Sequence, residues 1–167
     1  MRIFLSISFI ILSLSASVIV IQHDVADKKY LANPADFLPL ATLYVDGGIH
    51  DFLAEEDLQA LKPFILKHYF DAVDLRCAKD AQGIIQGFCG VHDGLIEMLF
   101  VGADARGKGI GAMLAAYAIK TQGAIKVDVN EQNEQALGFY QHIGFKVIGR
   151  SPVDGQGKPY PLLHMVL

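Results

Sequence analysis

Gly107-Lys108-Gly109-Ile110-Gly111, within "GADARGKGIGAML" from Gly102 to Leu114, is the stretch whose residue types most directly suggest chemistry. Glycines at this spacing let backbone N–H groups approach a phosphate at the positive end of a helix. Three kinds of loop share that idea. Gly102-x4-Gly107-Lys108 is one residue short of a nucleotide-hydrolase P-loop, Gly107 to Ala112 has the spacing of a dinucleotide-binding turn, and Arg106-x-x-Gly109-x-Gly111 is a pyrophosphate loop of another kind. The loop alone does not separate them. Cys77 and Cys89 lie on what the pattern marks as neighbouring strands, where they are either small buried hydrophobes or, in an exported protein, a cross-strand disulfide. Neither has a second ligand at metal-binding spacing, so no metal site is expected.

The elements that must position this loop follow from periodicity. Asn33-Pro34 marks the start of a helix through "ADFLPLATLYVDGG", kinked at Pro39 and ended by Gly47-Gly48. "AEEDLQALKPFILKHYF" is a second helix, with three acids in its first turn and Leu58, Leu61 and Ile65 at helical spacing. "AVDLRCAKD", "IIQGFCGVH" and "LIEMLFV", punctuated by Ala81-Gln82-Gly83 and Asp93-Gly94, form an antiparallel meander. The glycine loop then opens a helix with the apolar stripe Ile110, Met113, Leu114 and Tyr117. A strand "AIKVDVN", a helix "EQALGFYQHIG" and strands around "FKVIGR" and "YPLLHMVL" complete the chain.

The 167 residues suit one domain, residues 26–167, behind an apolar segment, residues 1–25. Ile3 to Ile21 is nineteen residues without a charge, preceded by Arg2, and is a secretory leader, a membrane anchor or an extension of a first strand at "SVIVIQ". Arg2 before the run and Lys28-Lys29 after it weakly favour a cytoplasmic domain, with membrane association through residues 3–21 left open. A net charge of −4 with scattered Lys and Arg disfavours a nucleic-acid partner. Nothing in the pattern fixes or excludes an oligomer.

The element order decides among the loops. A P-loop needs Ser or Thr after its lysine to hold Mg²⁺, and here the residue is Gly109. A dinucleotide turn opens a βαβ unit at the start of a parallel sheet. Here a meander comes first, so Asp128 can imitate the ribose-binding acid but the topology is wrong.

The loop that remains, "LFVGADARGKGIGAMLAAYA", with "VNEQNEQALGFYQHIGFKVIGR" after it, resembles the GNAT superfamily of N-acetyltransferases over roughly Ala35 to Leu167. The first segment matches the Q/R-x-x-G-x-G/A loop, and the second matches N-x-x-A-x-x-F/Y-Y-x-x-x-G-F through Asn133, Ala136, Phe139, Tyr140, Gly144 and Phe145. "HDFL" from His50 and "GKPYPLL" from Gly157 resemble one bacterial branch. The resemblance implies an α/β (α+β) fold, a mixed, mostly antiparallel sheet flanked by about four helices, with "LIEMLFV" splayed from "AIKVDVN". It also implies an acetyl-CoA-dependent acyltransferase moving an acetyl group to a primary amine by direct transfer in a ternary complex. The alternative is a catalytically silent acyl-CoA-binding sensor.

The same resemblance implies roles for particular residues. Arg106, Gly107, Lys108, Gly109, Ile110 and Gly111 would bind the pyrophosphate of acetyl-CoA without a metal. Backbone groups of Leu99, Phe100 and Val101 would pair with the pantetheine arm, and an N–H there would polarise the thioester carbonyl. Tyr140 would supply a proton to the thiolate, and Asn133 would either hydrogen-bond the cofactor arm or cap a helix. Glu97 is the first candidate for the base that deprotonates the amine, since strand alternation puts it on the face of Leu99 and Val101. His50 is the second, with acceptor positioning as its other reading. The acceptor is a small molecule or a peptide amine, beside the loop "SPVDGQGKPYP". His23, His68, His92, His142 and His164 belong to no constellation that the sequence shows.

Overall fold

The computed structural model describes residues 72–167 and the short strand Val20–Ile21. The two helices expected before residue 71, and His50 between them, lie outside the described residues. Among the described residues, seven strands form one mixed sheet in the order β1-β2-β3-β4-β5-β7-β6. These are β1 (Val20–Ile21), β2 (Asp74–Lys79), β3 (Ile85–His92), β4 (Leu95–Val101), β5 (Lys126–Asn130), β6 (Lys146–Ser151) and β7 (Leu162–Val166). Helix α1 (Ile110–Thr121) connects β4 to β5, and α2 (Glu134–His142) connects β5 to β6. β1 pairs with β2 through Val20↔Lys79 and Ile21↔Ala78.

The meander from β2 to β4 is set by its turns. Asp80 accepts backbone N–H bonds from Gln82 and Ile84, and Gly83 takes a left-handed φ of 81°. Asp93 and Gly94 both have positive φ, 45° and 76°, the requirement of a two-residue hairpin turn whose twist matches its strands. α1 lies on one face of the sheet. Ile110, Leu114, Ala115 and Ala118 are buried, and Ile110, Leu114 and Ala118 form one cluster with Ala78, Cys89, Val91, Ile96, Val127, Val129, Tyr140, Phe145 and Met165. The stripe expected on α1 therefore holds at Ile110, Met113 and Leu114, and two alanines let the helix approach the sheet closely.

The antiparallel ladder from β3 to β4 has one irregularity. Gly90 pairs with Met98 and Val91 with Ile96, so Glu97 is an extra residue on β4. Such a bulge leaves one residue unpaired and re-aims its side chain. Arg150 near the end of β6 holds Glu131 after β5 by two bonds of 2.9 and 2.7 Å, which keeps the Glu131 carboxyl below its usual range. Cys77 and Cys89 are thiols on opposite faces: Cys77 registers with Phe88, and Cys89, the next residue on β3, points into the α1 cluster. That geometry removes the cross-strand disulfide alternative. Burial, then the nearby Cys77, pushes the Cys89 thiol up to about 12. Among the described residues no helix is long and apolar enough to cross a membrane.

Candidate active site

β4 and β5 are the parallel pair of the sheet, and they pair only through Leu95↔Lys126 and Ile96↔Val127. Beyond these two rungs the strands separate. The β4–β5 ladder does not extend to Leu99, Phe100 and Val101, which register with Cys89, Phe88 and Gly87 of β3 on the other edge. An extended, amide-rich chain can fill such a gap by strand-like pairing.

The glycine loop stands at the open end of this split, between β4 and α1. Gly107 (φ 71°) and Gly109 (φ 79°) are both left-handed, a conformation that glycine reaches without a Cβ penalty. A Cβ placed on either would meet nothing within 4 Å, so their Cα atoms face open space. Gly109 caps α1 with no side-chain bond and no acid stands in the first turn. The first intrahelical bond runs from Met113 N–H to the Gly109 carbonyl, so the amides before it are turned outward. Arg106 and Lys108 are exposed beside them. Open space, outward amides and flanking cations together fit a pyrophosphate. Gly111 differs, since its Cβ would lie 3.6 Å from Val101 and 3.7 Å from Phe139, so it serves packing of α1.

Tyr140 comes from α2 on the α1 side of the sheet. It is 6% exposed, with Phe139 and Phe145 edge-on to its ring at 5.2 and 5.5 Å. Burial, and secondarily the Cys89 thiol, raise its phenol well above the usual tyrosine range, so it holds its proton throughout neutral pH. The Oδ1 of Asn133 accepts the Ala136 N–H at 3.0 Å and caps α2. The capping reading therefore describes this oxygen, and Nδ2 is the end of the side chain that remains for a ligand carbonyl.

Glu97 departs from the expected alternation. Leu99 and Val101 pack on the α1 cluster, whereas the bulge takes Glu97 out of step with them. The charges that act on it, His92 and Asp128, follow or precede residues of the α1 face on their strands, so Glu97 shares the opposite face. Its carboxyl is raised above the usual glutamate range by desolvation first; His92 opposes this, and the Asp128 charge, the smallest of the three influences, adds to it. The side chain itself is exposed, so the loss of water concerns the carboxyl's surroundings and not the whole residue.

On this face, opposite α1, Asp128 and His164 formed no part of the expected site, and Ser151 entered it only as the first residue of the acceptor-side loop. His164 Nδ1 lies 2.7 Å from Asp128 Oδ1, and His164 Nε2 lies 2.7 Å from Ser151 Oγ. They come from β7, β5 and β6 and are joined by register: Asp128 pairs with His164, and His164 with Gly149, two residues before Ser151. Asp128 stands between buried Val127 and Val129, a signal the sequence does carry, but its partners become visible only with the pairing. Among the described residues no group of three or more His, Cys, Asp or Glu is arranged to hold a metal ion.

This geometry has known counterparts. A family described as "Acetyltransferase (GNAT) domain" matches residues 71–147. The chain is 40% identical over 116 residues, 70% of its length and 78% of the relative's, to a protein of Escherichia coli named peptidyl-lysine N-acetyltransferase YjaB. The solution structure of apo YjaB superposes with a TM-score of 0.72 at 35% identity, over 79% of this chain and 90% of that one. A PaiA N-acetyltransferase of Thermoplasma acidophilum, solved in complex with coenzyme A, shares the fold at a TM-score of 0.59 and 17% identity, over 80% of this chain and 94% of that one.

Proposed function

Because the chain belongs to the GNAT superfamily of N-acetyltransferases, we propose that it holds acetyl-CoA along the β4–β5 split and passes the acetyl group directly to the primary amine of a lysine-like acceptor. The observation that supports this most is the placement of the glycine cradle beside the split where the β4–β5 ladder ends after two rungs. Acetyl transfer to an amine is the activity of the family, and acetyl-CoA is its donor. The lysine side chain is taken from the relatives' name.

Each group then has a task. The amides of residues 107–111, with Arg106 and Lys108, bind the pyrophosphate. The backbone of Leu99, Phe100 and Val101 beyond the last β4–β5 rung pairs with the pantetheine amides, and one of its N–H groups points at the thioester oxygen, where negative charge develops. Asn133 donates from Nδ2 to the cofactor arm. A split opens both faces of the sheet to one point, so acid and base can approach the reacting carbon from opposite sides. Tyr140, on the α1 side, donates to the departing sulfur.

Glu97, on the face opposite α1, takes the proton of the amine. A lysine amine of pKa about 10.4 held neutral at pH 7 costs roughly 4–5 kcal/mol, which makes a base worth having. His50, the second candidate for the base, lies outside the described residues. The loop 151–161, which holds Asp154 and Tyr160, lines the acceptor side. The pairing of Val20–Ile21 with β2 supports reading the end of the apolar run as the sheet's first strand.

Calorimetric titration of the full chain with acetyl-CoA tests the cradle, with ATP and NAD as controls and no added metal. Saturable binding of acetyl-CoA alone is expected; equal binding of ATP or NAD would contradict the assignment of the loop.

A further inference from the structure

The hydrogen-bonded line Ser151, His164, Asp128 ends beside Glu97 and has no task in the reaction as described. Asp128 is the first residue of β5 after its last rung to β4, and Glu97 is the first residue of β4 after its own. The two carboxylates therefore flank the apex of the split. Asp128 does not stand loose there. Its Oδ1 takes the His164 Nδ1–H at 2.7 Å, since a carboxylate only accepts and the ring must donate. In the neutral ring Nε2 is then the accepting nitrogen, and the Ser151 hydroxyl, 2.7 Å away, donates to it. Each bond fixes the orientation of the next group, across three adjacent strands. A lone surface aspartate would sample several rotamers; this one is held in one.

We propose that Asp128, anchored by His164 and Ser151, is a positioning residue for Glu97, its fixed negative charge keeping the Glu97 carboxylate ready to accept the proton of the acceptor amine. This rests on Glu97 being the base. A second carboxylate close by makes the first hold a proton more strongly, and the effect needs a fixed distance. The desolvation of Glu97 and the opposing His92 act together with it. On the described elements, the charged or titratable groups on this face near Glu97 are His92 and Asp93 at the β3–β4 turn, Lys126 and Asp128 on β5, and His164 on β7. The proton balance is complete without a further reagent. An ammonium acceptor loses two protons in forming the amide: one goes to Glu97 and on to water, and the other replaces the one that Tyr140 gives to the thiolate.

The test is the pH profile of kcat/KM for the full chain, with acetyl-CoA and a lysine-containing peptide. Glu97→Gln should remove the acidic limb. Asp128→Asn, which keeps shape and drops charge, should retain that limb but move it to lower pH, with a smaller loss of turnover, about tenfold or less against the roughly 100-fold or more of a lost base. His164→Ala should lower kcat/KM in the native background and have no added effect in Asp128→Asn, the mark of a residue acting through another. His164→Asn, whose amide can still donate to Asp128, should restore most of the loss. An acidic limb that stays in place in Asp128→Asn while Glu97→Gln abolishes it would overturn the inference and leave the base assignment standing. So would a His164→Ala effect of equal size in both backgrounds. A limb that survives Glu97→Gln overturns the base assignment itself, and the inference with it.

Discussion

Gly109 separates the demands of folding from those of binding, because its backbone is strained for other residues while its Cα faces open space. With φ at 79°, alanine there should destabilise the protein by about 1–2 kcal/mol, the left-handed penalty for an ordinary L-residue. No atom lies within 4 Å of the added Cβ, so no clash adds to that figure. Asparagine and aspartate tolerate this conformation better and should be less destabilising than alanine. Binding should run the other way. A side chain in the cradle displaces a phosphate oxygen from at least one amide, and a hydrogen bond to a charged group contributes about 1.5–3 kcal/mol, or roughly 10- to 150-fold in Kd. Asparagine, being larger than alanine, should weaken acetyl-CoA more, and aspartate, which adds a negative charge facing the pyrophosphate, should abolish measurable binding. The assay pairs urea denaturation with calorimetric titration of the same three full-length variants. Affinities that fall in the same order as stabilities, with alanine worst in both, would refute the reasoning.

Tyr140→Phe keeps the ring between Phe139 and Phe145 and removes only the hydroxyl, so acetyl-CoA affinity should hardly change while kcat falls roughly 100- to 10,000-fold in initial-rate assays. Unchanged turnover would remove the acid role. Leu114→Ala leaves a void in the α1 face of the sheet and should lower stability by about 2–5 kcal/mol in urea denaturation. Gly87→Ala should destabilise by about 1–3 kcal/mol through overpacking, since its Cβ would sit 2.8 Å from the Phe100 carbonyl oxygen on the strand that borders the split.

The strands of the meander and the cradle were legible because each carries a local signal: alternation bounded by Gly83 and Gly94, and glycines at the mouth of an amphipathic helix. The place of Glu97 was not, because one inserted residue reverses every side chain beyond it and the bulge is defined by the partner strand, not by β4's own sequence. Asn133 was legible only as a choice, and the bond to Ala136 assigns its oxygen to the helix cap. His164 lies in an apolar run and has no local companion. Its link to residues 36 and 13 positions away exists only once β7 is inserted between β5 and β6.

The central claim is direct transfer between two substrates meeting at one split. It is tested most directly by initial rates of the full chain over a grid of acetyl-CoA and lysine-peptide concentrations. Double-reciprocal lines that intersect are predicted, as both substrates must be bound before the acetyl group moves. Parallel lines would mean that an acetylated enzyme forms first, and saturable acetyl-CoA binding without turnover of any amine would mean a binding module; either contradicts the account.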